Sequence, residues 1–177
     1  MGFVFPYFDQ SFSSCYISNN GFISFGYSIS YAYYTYPPSG QNIIAPFFYD
    51  LYSSAGGDIT YKSYSSNESE TLNLIGTEIS QLLDTNFMPN NSFVITFDAV
   101  YACYVAGTVS LQLILSTDSE KSYLTVNYGH MDFNCDIAPF IQYFINNVLG
   151  QSTFSCSVAL SNVNVNGKWI FPLFGIV

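Results

Sequence analysis

Arginine is absent from this chain, and lysine occurs only as Lys62, Lys121 and Lys168. Against 12 acidic residues this leaves a formal net charge of −9. Nothing here neutralises a row of phosphates, so a nucleic-acid partner is not expected. An anionic membrane surface is an equally poor target. Charged residues of both signs make up 8% of the chain, against roughly 25% in ordinary soluble domains. The surface must therefore be covered by Ser, Asn, Thr, Gly and Tyr, or by attached glycans, as in an exported protein. Histidine occurs once, as His130, so several imidazoles cannot gather round one metal within a single chain. Long apolar runs are missing too. Residues 137–149 and 169–177 are the longest candidates, and both are broken by Pro, Gln or Asn. They fall short of the ~18 residues that span a bilayer, so no membrane insertion is expected. The opening Met1-Gly2-Phe3 has no basic start and no small-residue cleavage site. Export is thus expected to depend on a leader that this sequence does not include.

What is present points to a compact module. Hydrophobic residues are 49% of 177, which excludes intrinsic disorder and allows one domain over 1–177. Cys15, Cys103, Cys135 and Cys156 are even in number and contain no CxxC pair. Two disulfides follow, with three connectivities open. The working expectation is Cys135–Cys156, closing a short C-terminal loop, together with Cys15–Cys103. Sequons at Asn67-Glu68-Ser69 and Asn90-Asn91-Ser92 place N-linked glycans at Asn67 and Asn90. Paired cysteines and sequons together favour an oxidising, extracellular compartment.

Strand signals dominate the local pattern. Asn20-Gly21 is a tight-turn dipeptide, so residues 15–26 read as a hairpin. Residues 27–33 alternate large and small, while 42–52 form an apolar run interrupted by Pro46 and Asp50. Three more strands are expected at 93–97, 108–115 and 122–128. Only one segment has helical spacing: Leu72, Ile75, Ile79, Leu82 and Leu83 fall on one stripe between about 70 and 84. The fold expected is mainly β, an antiparallel sandwich-like domain with that amphipathic helix packed on a sheet.

Five motifs in order then resemble the nidogen-like (NIDO) domain family. The first runs from Phe5-Pro6-Tyr7-Phe8 to Tyr16-Ile17-Ser18-Asn19-Asn20-Gly21-Phe22-Ile23-Ser24-Phe25-Gly26. It is followed by Ile43-Ile44-Ala45-Pro46-Phe47-Phe48-Tyr49-Asp50 and by Thr96-Phe97-Asp98-Ala99-Val100. Val126-Asn127-Tyr128-Gly129 comes next, and Ser161-Asn162-Val163 with Gly167-Lys168-Trp169-Ile170-Phe171 closes the series. Phe48 and Phe97 stand where the family usually has tryptophan. The resemblance implies a structural or adhesive extracellular role and supplies no catalytic residues.

Chemistry read from single residues is correspondingly thin. His130 with Asp132 and a serine lacks any nucleophile-elbow pattern. Asp50, Asp58 and Asp98 lie on or beside apolar strands, but nothing fixes a separation suited to glycoside hydrolysis. Asp50 and Asp58 are the carboxylates that calcium would use with loop carbonyls; hydrogen bonds to turn backbones are their simpler role. No enzyme activity and no cofactor are expected. The 16 Tyr and 17 Phe exceed what one core needs, and Tyr is favoured at interfaces. Interface candidates are Tyr31, Tyr33 and Tyr34, and the apolar ends with Phe3, Phe5, Leu173, Phe174 and Ile176. Those ends have the character of donor strands passed between subunits of a filament. Protein partners are expected, either further copies of the chain or matrix and cell-surface proteins. The alternative is a carbohydrate-binding module using the tyrosine cluster.

Overall fold

The computed structural model describes residues 1–29, 42–103, 106–132 and 161–174, together with the backbone of 144–145. Its main layer is a five-stranded antiparallel sheet ordered β11-β9-β8-β7-β6. These strands are β6 (Asp58–Tyr64), β7 (Asn91–Tyr101), β8 (Thr108–Thr117), β9 (Ser122–Met131) and β11 (Lys168–Pro172). Along β8, Val109, Leu111, Leu113 and Leu115 are buried on one face, as a period of two demands. A second sheet, ordered β10-β5-β4-β3, contains β3 (Cys15–Ser18), β4 (Phe22–Phe25), β5 (Ile43–Ala45) and β10 (Phe144–Ile145). β1 (Phe5–Tyr7) pairs with β2 (Gln10–Phe12) in a small ribbon.

The core lies between these layers. Phe5, Tyr7, Ile23, Phe25, Ile44 and Phe47 meet Phe93, Ile95, Phe97, Leu111, Leu113, Leu124 and Val126. Rings dominate one corner: Phe25 lies 4.7 Å from Tyr7 and 5.0 Å from Phe12 between centroids, within the range of favourable aromatic contact.

On the outer face of the large sheet lies α1 (Ser69–Leu83). A Ser65/Glu68 capping box precedes it, and Asp84 in the left-handed region ends it. Its Ile75 and Ile79 pack on Ile114, Tyr123 and Ile170. The next row of the sheet is polar. Gln112 Nε2 donates to Thr96 Oγ1 at 3.1 Å, and Asn127 Nδ2 donates to Gln112 Oε1 at 3.3 Å. That row ends at Lys168, which pairs with Glu78 of α1 at 2.6 Å. The helix thus lies on the apolar part of the face and is tethered beside the polar part.

The main strands and the helix fall where the residue pattern put them, and three expectations change. The apolar run 42–52 is a strand only over Ile43–Ala45, because Pro46 cannot donate to a ladder. Tyr27–Ile29 form no strand, and residues 30–33 lie outside the described set. β6 is an element for which the residue pattern gave no expectation. Finally, the described residues at the two ends, 1–8 and 168–174, are tied into the fold. Phe5 and Leu173, expected at an interface, are each 0% exposed, so in the folded chain both are core side chains. Phe8 N donates to Leu173 O at 2.7 Å, and Leu173 N to Ser122 O at 2.9 Å. Both ends are therefore joined to the chain's own sheets. Phe3 packs against the core, and Phe174 meets Tyr123 edge-on at 5.2 Å. Tyr31, Tyr33, Tyr34 and Ile176 lie outside the described residues.

Candidate functional site

Among the described residues, several motif side chains bond to backbone groups. The turn at Asn19-Asn20-Gly21 lies against residues 47–51. Phe47 N donates to Gly21 O and Tyr49 N to Asn20 O, both at 3.3 Å. Leu51 N donates to Asn20 Oδ1 and Asn19 Nδ2 to Leu51 O, both at 3.2 Å. From the opposite sheet, Tyr128 OH donates to Pro46 O at 2.6 Å. At the sheet's far edge, Asn162 Nδ2 donates to Ile170 O at 2.7 Å and Asn162 Oδ1 accepts from Ile170 N at 2.9 Å. That side chain pairs with β11 as a neighbouring strand would. Each asparagine supplies the polar partners that an irregular segment lacks.

The predicted cysteine pairing is corrected in part. Cys15 opens β3 and Cys103 follows β7, and both are free thiols, so the Cys15–Cys103 bridge is not made. Cys135 and Cys156 lie outside the described residues. Burial pushes the Cys15 thiol up to about 11 from 9.0. Burial and then the Asp50 carboxylate beside it raise Cys103. Burial also raises Tyr7, whose hydroxyl donates to Ile43 O at 3.1 Å. A weak acid whose pKa rises on folding stabilises the fold below its ordinary pKa and stops doing so through the raised one. Cys15 thus makes stability fall between about pH 9 and 11, with Tyr7 extending the loss upward. Thermal unfolding across that range is the measurement. Native alkylation of Cys15 is expected to be slow at neutral pH, because the thiolate is the reactive form.

Among the described residues the carboxylates do not assemble into a centre. Asp50 neighbours Cys103, and Asp58 stands opposite Asp98 across β6 and β7. Among the described residues no group of three or more His, Cys, Asp or Glu is placed to hold a metal ion. His130 is exposed near the end of β9. A shallow groove of about 790 Å³ follows α1, lined by residues that include Glu70, Asn73, Leu74, Glu78, Leu82 and Val165. Both sequon asparagines are exposed. Asn67 lies in the 3-10 turn before α1. Asn90 Nδ2 donates to Asp118 O and Ser119 Oγ, both at 3.0 Å, so a glycan there replaces one of these donors.

One surface stands out that residue spacing did not reveal. β6 is a seven-residue strand at the edge of the large sheet. Asp58, Thr60, Tyr61, Lys62 and Ser63 are all exposed. Tyr61 is 68% exposed, the most of any large hydrophobic side chain described, while its ring still touches Phe93 at 5.7 Å. Lys62 lies 2.9 Å from Glu68 and 4.5 Å from the Tyr64 ring centre. The sequence signal for this strand is its Ile59/Tyr61 alternation, obscured by the serines that follow.

No helix among the described residues is long and apolar enough to cross a membrane. Neither a curated protein nor a solved structure matches the chain. A family model does, that of the nidogen-like domain, over residues 13–174. That span contains the hairpin turn, the 43–50 segment, the three long central strands and the Asn162–β11 closure, and the chain belongs to the nidogen-like domain family.

Proposed function

We propose that the chain is an extracellular, non-enzymatic structural and adhesive module, secreted or held at a cell surface. It works through protein partners, either further copies of itself in a filament or matrix, or other matrix and cell-surface proteins. No cofactor enters this reading. The observation that supports it most is the use made of the motif side chains. Asn19, Asn20, Tyr128 and Asn162 all bond to backbone groups of the fold. What the motifs support is therefore a scaffold, and the surface left over is poor in charged residues and rich in polar and aromatic ones, suited to association.

Expression in a secretory eukaryotic host tests the compartment. Carried by an added secretion leader, the chain is expected in the medium with N-glycans at Asn67 and Asn90. Asn67→Gln and Asn90→Gln should each remove one glycan mass in intact mass spectrometry. A secreted chain whose mass is unchanged by both substitutions counts against the assignment. Negative-stain microscopy of the same material tests assembly. Filaments or ordered clusters support it, and monodisperse single chains remove the polymer form.

A further inference from the structure

We propose that the free edge of β6 joins two copies of this chain, pairing their β6 strands antiparallel about a two-fold axis at Thr60. The inference deepens the self-association reading above and rests on it.

The large sheet has two edges, and they are treated differently. At β11 the Asn162 side chain satisfies both the N–H and the C=O of Ile170. At β6 no further strand pairs among the described residues; the Ser63 hydroxyl donates to the Met1 carbonyl near one end, and the strand is exposed along most of its length. An open edge of this kind is a template for another strand.

Which strand fits is decided by charge. At −9 the copies repel one another, so a stable seam needs a cation placed against an anion. One of the three lysines in the chain lies within β6. With the axis at Thr60, Asp58 of one copy stands opposite Lys62 of the other, twice by symmetry, flanking a Thr60–Thr60 pair. On the other face Ile59 stands opposite Tyr61, again twice, which gives the exposed ring an apolar neighbour. Opposite charges and aromatic–β-branched pairs are the favourable cross-strand combinations. Moving the axis to Tyr61 sets Asp58 against Tyr64 and Lys62 against Thr60. Moving it to Lys62 sets the two lysines against each other. Only the Thr60 register satisfies both faces. The contact is isologous and closes as a dimer. Asn67 lies beyond the end of the strand, outside the paired residues.

Charge reversal tests both the edge and the register, read by sedimentation velocity on the secreted full chain carrying Asn67→Gln so that no glycan competes. That chain should sediment as a dimer in equilibrium with monomer. Lys62→Asp and Asp58→Lys each replace two attractive contacts with two repulsive ones, and each should weaken dimerisation by about tenfold or more. Mixed in equal amounts, the two variants should restore it, because each then offers the charge that the other lacks. Restoration also shows that both variants are folded. A chain that stays monomeric overturns the proposal together with the self-association reading. A dimer unaffected by either reversal, or one that the mixture fails to restore, overturns the β6 edge alone and sends the search to another surface or another partner's strand.

Discussion

Leu173→Ala is expected to lower stability by about 2–5 kcal/mol, the cost of emptying a fully buried leucine site. Leu173 is 0% exposed and shares the main core with Phe5, Tyr7 and Leu124. Its backbone bonds to Ser122 on one side and Phe8 on the other, so it ties the C-terminal strand to the N-terminal ribbon. Removing residues 172–177 deletes that side chain, both of those bonds and the Phe174 ring on Tyr123. Set against a total stability of about 5–15 kcal/mol, the truncated chain is expected to be unfolded. Denaturant titration followed by circular dichroism measures the substitution, and the spectrum of the truncated chain tests the deletion. A truncated chain with a native spectrum and a cooperative transition would show the tail to be dispensable, reviving strand exchange through the C-terminus. In the folded chain Leu173 belongs to its own core, and the self-association proposed above uses β6 instead.

Gly21→Ala is expected to cost about 2–5 kcal/mol, from two causes that act together. Gly21 has a φ of +75°, where a side chain costs roughly 1–2 kcal/mol. A Cβ built there would also lie 1.9 Å from the carbonyl oxygen of Phe47. Backbone, not a flexible side chain, would have to move, and overpacking of that kind adds about 1–3 kcal/mol. The shift would disturb the bonds from Phe47 and Tyr49 to the turn, so the 43–50 segment should loosen with the hairpin. Thermal unfolding measures the loss, and hydrogen exchange at Phe47 and Tyr49 locates it. An alanine variant as stable as the parent, with those amides still protected, would show that the turn does not hold the segment.

The glycine is a fair measure of what was legible in sequence. Asn20-Gly21 announced a turn, and β3 and β4 flank it as expected. Nothing in the dipeptide said that the turn would be the lid on another segment's backbone. The same holds for Asn162, legible only as a motif letter until its amide was seen pairing with Ile170. Cys15 and Cys103 failed as a pair for a related reason: an even count of cysteines constrains how many bridges form, not which thiols meet.

Local pattern determined the elements whose two faces differ strongly. The period-two leucines of β8, the matching strands β7 and β9, and the helical stripe of α1 each announce their own conformation. Composition determined the low charge. Tertiary structure alone decided which apolar segments are core and which are surface. Phe5 and Leu173 looked like sticky ends because nothing in their neighbourhood covers them; their partners are Phe25 and Ser122, far along the chain. Tyr61 looked ordinary and is the most exposed ring described. Burial depends on what packs over a face, and strand edges exist only once sheets are ordered. For that reason the candidate site, an edge, could be located only in the folded chain.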